Sequence, residues 1–531
     1  MNKRIIFKKI ENKYVEKLEN TIKSKDAEIE FLKQQIALMK EKEFLAKHKL
    51  FGSSSEKSEY TQIEFFNEAE KESDDTVAEP ELEEIEVTPH TRKKKKGAKK
   101  EKLEGFESTT VEYHLSEDEV KCPECNNERH IIGKSERMEL RIKPVEVEVV
   151  KHVTYAYACR DCEKNNVKVP IQKSKAPKAV IEKSIASPSL IGHIMADKYL
   201  NGLPLNRQEQ DFKRYGIDIS RQNMANWVIK ASNDWLSVMY DKLKEDLLKR
   251  EVLHMDETTV QVLKEENKTA QSNSYMWAGR TSGDTDKHIV IFEYQPDRTH
   301  QRAIDFLKDF KGYLHADGYE AYHKLSKDVI VCGCMAHVKR KFDEALKSMD
   351  KKFHLGSKAL EGKKFCDSLF RVEKKLNEDF SLEGKDKLDK RIELATPILD
   401  DFFKWLKTCN ALPKSALGKA VYYTLNQWQY LTNYLLDERC ELSNNRGERC
   451  IKPFVISRKN FLFCDTVKGA NASAVTYSII ATAKENGLNP AKYLEYLFEK
   501  LPNVDFKNNP EVLDELMPWS NLPKKCYIQI K

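Results

Sequence analysis

Residues 252–263 read VLHMDETTVQVL, and their alternation marks a β-strand that carries Asp256. Two further strand-like stretches follow, SYMWAGRT at 274–281 and HIVIFEYQ at 288–295. THQRAIDFLKDF at 299–310 then has helical spacing, and GYLHADGYEAY (312–322) and VIVCGCM (329–335) restore the strand pattern, with Asp317 in the former. Strand-strand-strand-helix-strand-strand-helix, with acids on the first and fourth strands, is the order of an RNase H-like core. In that arrangement the two acidic strands are neighbours at the sheet centre. Further on, LSNNRGERCIKPFVISRKNFLF (442–463) reads as a short helix bearing Glu448 with basic residues on both sides.

Two strand carboxylates and one helix carboxylate suit a site for two magnesium ions, for which manganese can substitute. Magnesium is hard, takes oxygen ligands and keeps several waters or substrate phosphate oxygens. Two ions about 4 Å apart activate an attacking oxygen and stabilise the leaving one. Asp256 is the candidate to bridge both ions, with Asp317 and Glu448 each holding one. Glu257 follows Asp256 directly, so alternation sends it to the opposite strand face. His254 and His315 read as packed neighbours of the aspartates, because magnesium prefers oxygen. Cys332, Cys334 and His337 make only a partial metal set, lacking a fourth ligand, and read as core thiols with a neighbouring histidine.

Between residues 335 and 442 the composition is helical, and this stretch is expected to interrupt a catalytic region spanning 246–470 as an insertion. Lys339 and Arg340 on its first helix, and Arg449, Lys452, Arg458 and Lys459 around Glu448, would position a DNA strand through its phosphates. A solvated helix face is the alternative for the insertion cluster. Residues 471–531 are expected to be a C-terminal helical element, with Gly487 ending one helix and Asn489-Pro490 starting another.

Upstream, residues 181–245 are expected to be a helical, helix-turn-helix-like DNA-binding unit. Gly216 breaks the second helix and Ser220 caps a third, from whose start Arg221, Gln222, Asn223 and Asn226 would project toward base edges. A trihelical packing module is the alternative. Residues 105–180 contain Cys122-Pro-Glu-Cys125 and Cys159-Arg-Asp-Cys162 separated by strand-like alternation. Four thiolates gathered by a hairpin suit one structural zinc, and the ribbon either touches DNA or braces the hairpin.

Residues 53–104 swing from an acidic run to Arg92-Lys93-Lys94-Lys95-Lys96, the mark of a charged linker. In residues 1–52, Val15, Ile22, Ile29 and Ile36 share one heptad position, and Leu18, Leu32 and Met39 the other, with Lys25 the exception. That seam fits a coiled coil joining chains, or one amphipathic helix packed on its own domain. At 531 residues the chain exceeds one core, so the expected class is multidomain α+β. The net charge is only +6, but it is unevenly spread, which matters more for a nucleic-acid partner. Twelve cysteines do not make a secreted disulfide scaffold, and no apolar run approaches about 20 residues. A cytoplasmic protein without membrane attachment is expected.

With these residues in place, the chain resembles the large transposase of the insertion sequence 66 family, a group of bacterial DDE transposases. The strings that carry the resemblance include FGSSSEK, both CxxC pairs, LHMDET, LHADGYEAY, GCMAHVKRKF and NNRGERCIKPFVISRKNFLF. The resemblance implies a leucine-zipper-like N-terminus, a zinc-binding domain, a DDE core with Asp256, Asp317 and Glu448 as the triad, and a C-terminal element. It also implies two small accessory proteins and a place at the bacterial nucleoid. The expected activity is cleavage at element ends and transfer of the 3′-hydroxyl ends to target DNA. A structure-selective nuclease and a catalytically inactive DNA-binding regulator are the alternatives.

Overall fold

A computed structural model describes residues 176–528 continuously, together with residues 148–153, 156–157 and 172–173 and scattered positions between 18 and 43. Cys122, Cys125, Cys159, Cys162, Val15 and the charged linker lie outside the described residues. The chain divides into two compact units, one of residues 1–56 and 178–527 and the other of residues 57–177 and 528–531. In the second unit, Ala156–Tyr157 pairs antiparallel with Gln172–Lys173. Among the described N-terminal positions, Leu18, Ile22, Ile29, Leu32, Ile36 and Met39 are helical with exposed side chains. Lys25 pairs with Glu28 at 2.7 Å, three residues along the same helical stretch.

The first unit is built on a mixed sheet. Its strands are β1 (Val252–Lys264), β2 (Asn273–Thr281), β3 (Val290–Gln295), β4 (Gly312–His315) and β5 (Val329–Cys332), in the order β3-β2-β1-β4-β5. The first three strands meander antiparallel, while β4 runs parallel to β1 and β5 parallel to β4. The reversal comes from helix α5 (His300–Leu307), whose buried Ala303, Phe306 and Leu307 carry the chain from the edge strand to the opposite side of β1. At 13 residues β1 outruns its partner, so β4 covers only Val252–His254 and a short strand β6 (Cys464–Thr466) covers Val262 and Lys264.

That leaves the middle of one β1 edge without a strand partner, and backbone polar groups there need other partners. Helix α10 (Asn445–Phe461) supplies them. Asn444, at its start, donates from Nδ2 to Met255 O at 2.7 Å, and Arg458, in its last turn, donates to Thr259 O and, at 2.9 Å, to Thr259 Oγ1. The helix is thus fastened to β1 at both ends, with Glu448 between the fastenings. The outer edge, β3, is protected differently. Helix α11 (Val467–Glu485) presents Ser478 and Thr482, whose hydroxyls accept the N–H groups of Phe292 at 2.7 Å and Val290 at 3.0 Å. Hydroxyls one turn apart stand in for a neighbouring strand, which closes an edge otherwise open to pairing.

Upstream lie α1 (Pro188–Tyr199), α2 (Leu205–Arg214), α3 (Arg221–Ala231) and, after a π-turn at Ser232–Leu236, α4 (Ser237–Leu248). Ser220 caps α3 by accepting from Asn223 N at 3.2 Å. These helices share one hydrophobic core with the sheet and with the C-terminal helices. Gly192 lets α1 approach α12 (Pro490–Lys500) closely, since a Cβ there would lie 3.2 Å from Glu495 N. Helix α11 starts at Val467, so the expected boundary at residue 470 runs through a helix packed on the sheet.

Between β5 and α10 come four helices with a second core of their own. They are α6 (Met335–Lys347), α7 (Lys358–Glu378), α8 (Gly384–Thr408) and α9 (Ala416–Leu431). Inside that core Arg391, 2% exposed, meets Glu373 through two nitrogens, at 2.9 and 3.1 Å. It also donates to Tyr434 O and Asp437 O, so its fork is filled on both sides. Among the described residues, no helix is long and apolar enough to cross a membrane.

Candidate active site

The parallel register pairs His254 with His315, and each aspartate lies two residues beyond its histidine. Asp256 and Asp317 therefore leave the sheet on the same side, where β1 and β4 part. Both carboxylates are oriented locally: Asp256 Oδ1 accepts from Glu257 N and Asp317 Oδ1 from Tyr319 N, each at 2.9 Å. Glu448 lies in the first turn of α10 and faces them. Burial pushes Asp256 well above the usual carboxylate range, and the negative fields of Glu257, Asp317 and Glu448 push it further. Three expected site acids from three elements thus share one field, together with a fourth carboxylate.

That fourth carboxylate lies on the opposite strand face, as alternation has it, but it is not isolated from the site. Glu257, only 1% exposed, pairs with Arg298, and Arg298 reaches Asp317 Oδ2 at 3.7 Å. Tyr322 also donates to Glu257, and the guanidinium of Arg298 stacks 3.7 Å from the centre of the Tyr319 ring. Burial, and then the charge of Asp317, raise Glu257 to about 7 against the pull of Arg298 and Tyr322. The side chain leaves β1 on the other face but stays electrically connected to the site through one arginine. Arg298 sits in the loop before α5, where no periodic pattern marks it.

Beneath the aspartates, His254 and His315 stack with ring centroids 4.4 Å apart, and both are fully buried. Burial lowers His254 to about 3 and holds His315 well below its ordinary value, so both rings are neutral. His254 Nδ1–H therefore donates to Asn444 Oδ1 at 3.0 Å, and its Nε2 accepts from Ser282 at 3.2 Å. His315 Nε2 accepts from Glu441 N at 3.1 Å. Asn444 stands at the N-cap position of α10 but makes no side-chain cap; its amide is spent on β1. Gly447 leaves room for it, since a Cβ there would lie 2.7 Å from Asn444 Oδ1.

Helix α6 supplies the other wall. Arg340 pairs with Glu448 Oε2 at 3.0 Å, and His337 Nδ1 lies 3.5 Å from Glu448 Oε1. The cysteines read together in the sequence are separated. Cys334 joins His337 and Glu448, whereas Cys332 lies with Cys440 and His315, its sulfur 3.8 Å from that of Cys440. Burial first, then Glu448, raises the Cys334 thiol to about 12.

The residues expected to touch DNA fall into two groups. Arg221, Gln222, Asn223 and Asn226 are all exposed on α3, with Met224, Val228 and Ala231 buried behind them, and Arg449 is exposed beside Glu448. Arg458 is a correction: its guanidinium turns onto Thr258 and Thr259 to fasten α10. Arg340 faces Glu448, and Lys339 pairs with Asp367 at 2.7 Å. Lys452 and Lys459, on α10, are half-buried.

Fold and site define the class: a mixed α+β protein whose central strand, its parallel neighbour and a returning helix assemble a carboxylate centre. A family model described as "Transposase IS66 family" matches residues 183–472, more than half of the chain, and the chain belongs to that family. The IS66 C-terminal element matches residues 478–519, and a model described as "Transposase C of IS166 homeodomain" matches residues 32–107. The zinc-finger binding domain of transposase IS66 matches residues 119–163, which hold all four CxxC cysteines and support a structural zinc. Two Sinorhizobium fredii (strain NBRC 101917 / NGR234) relatives, named "Uncharacterized protein y4hP" and "Uncharacterized protein y4jD", are each 28% identical to this chain. The alignments cover 71% and 75% of this chain, and 68% and 78% of those proteins.

Proposed function

We propose that this protein is a DNA transposase that binds the ends of an insertion sequence, cleaves phosphodiesters there and transfers the 3′-hydroxyl ends to target DNA by a two-metal DDE mechanism. The observation that carries the proposal is the convergence of three elements: the parallel register of β1 and β4 puts Asp256 and Asp317 on one side of the sheet, and the helix carrying Glu448 is fastened to β1 beside them. Carboxylates whose fields overlap repel one another, and all offer hard oxygen, which fits magnesium or manganese. Asp256, Asp317 and Glu448 would hold the ions. When bound, such ions activate the attacking oxygen and stabilise the leaving one. The strand order β3-β2-β1-β4-β5 supports an RNase H-like core.

The protein's own groups do the positioning. Asn444 and Arg458 fix α10 on β1, which sets the position of Glu448 relative to the strand that carries Asp256. Arg298 neutralises Glu257 and leaves Asp317 weakly paired. The exposed polar start of α3 would meet base edges, and Arg449 would hold a phosphate beside the acids. Cys122, Cys125, Cys159 and Cys162 would ligate the zinc of the N-terminal domain. The exposed apolar positions from Leu18 to Met39 support a homo-oligomer joined through the heptad seam, working in the cytoplasm at the nucleoid.

The test is an assay on element-end DNA with magnesium. Asp256→Asn, Asp317→Asn and Glu448→Gln should each retain DNA binding and lose at least about a hundredfold in cleavage and strand transfer. Near-normal joining by Asp256→Asn would overturn the DDE reading, and cutting without joining in any form would favour the nuclease.

A further inference from the structure

We propose that Cys334, His337 and Glu448 form a second metal site, for a thiophilic divalent cation of the zinc class. One donor atom from each residue lies within 4.8 Å of the other two. His337 Nδ1 and Glu448 Oε1 are both buried atoms without a hydrogen-bond partner among the described residues, and they lie 3.5 Å apart. A tetrahedral zinc with nitrogen and oxygen arms of about 2.0–2.2 Å has ligand–ligand edges of about 3.4 Å. Two orphaned donors at that separation are what such an ion would span.

The sulfur of Cys334 completes the set. Cys334 occupies the N-cap position of α6, and its Sγ accepts the backbone N–H of Asn444 at 3.2 Å. Sulfur ligates metal as the thiolate, so binding would release the thiol proton. Sulfur and imidazole select zinc over magnesium, so this site and the magnesium-type site differ in chemistry although they touch. Arg340 occupies Glu448 Oε2 and leaves Oε1 for the ion. The His337 and Glu448 side chains are 24% and 28% exposed, so water can fill a fourth position, the pattern of an open zinc site.

Glu448 Oε1 cannot serve both metals. Zinc bound here withdraws Glu448 from the carboxylate centre and inhibits cleavage; this consequence, unlike zinc binding itself, rests on the proposed DDE reading.

Zinc content of full-length protein, equilibrated with zinc and then dialysed, tests the site. Cys334→Ser and His337→Ala should each carry about one zinc per chain fewer than the wild type, whatever the N-terminal domain holds. Asp256→Asn should carry the wild-type amount. Helicity by circular dichroism checks folding, and should Cys334→Ser fail to fold, His337→Ala, at a partly exposed position, decides. Unchanged zinc in the folded variants overturns the proposal. Zinc should also suppress magnesium-dependent cleavage by the wild type. Full cleavage with the second zinc bound would overturn the sharing of Glu448, and cleavage by Asp256→Asn would overturn only the DDE reading.

Discussion

Asn444 joins two distant parts of the chain: its Nδ2 donates to Met255 O at 2.7 Å and its Oδ1 accepts from His254 Nδ1 at 3.0 Å, across 190 residues of sequence. One amide thereby sets the start of the helix that carries Glu448 against the strand that carries Asp256. Because both contacts are buried, their loss is not made good by water.

Asn444→Ala should leave Met255 O and His254 Nδ1 unpartnered, at a cost of about 1–3 kcal/mol for each buried group. Thermal unfolding should show the loss. Cleavage should fall further than stability accounts for, since Glu448 loses its anchor; unchanged activity in folded protein would refute the anchoring role.

Glu257→Gln should act through Arg298. Freed from Glu257, the guanidinium already 3.7 Å from Asp317 Oδ2 should turn onto it and compete with cations there. The magnesium concentration for half-maximal cleavage should rise several-fold, with a maximal rate near that of the wild type. A magnesium titration reads this directly, and an unchanged midpoint would rule it out.

Stability of the metal-free protein should fall as pH rises through this site. Glu257 is raised from 4.5 to about 7, and Asp256 is raised too, so the folded protein binds protons that the unfolded chain has released. The difference favours folding at the acid end, and that advantage is lost as pH climbs from about 4.5 to about 7. Melting temperatures of the wild type should decline across that window more than those of Glu257→Gln. Magnesium added at pH 8 should recover part of the decline.

Arg391→Met should destabilise the insertion by about 3–5 kcal/mol, because Glu373 stays buried without its partner. Adding Glu373→Leu should return much of that loss, as removing both charges leaves nothing to desolvate. Chemical denaturation of the three variants measures it.

Deleting residues 1–50 should reduce self-association while the sheet stays folded. Light scattering gives the mass; an unchanged value would assign the heptads to another partner.

The sequence by itself determined the order of strands and helices, because alternation, caps and breakers act over a few residues. Val252–Leu263 alternates whatever surrounds it, and Ser220 caps α3 with an amide three residues away. Strand order in turn implied that the strands leading to Asp256 and Asp317 would be neighbours, as they are, although Asp317 itself lies two residues beyond the end of β4. What a side chain does when its partner is a hundred or more residues away was decided only by the tertiary structure. Asn444 has the composition of a cap and Arg458 that of a phosphate ligand, yet both are spent on the stretch of β1 that β4 and β6 leave uncovered. Cys332 and Cys334 are two residues apart and part company, because one ends a strand and the other starts a helix. Glu257 obeys alternation and still reaches Asp317, because Arg298 arrives from a loop that no local pattern marks. Such partnerships follow from which backbone groups the packed sheet leaves unpaired, and that is a property of the whole fold.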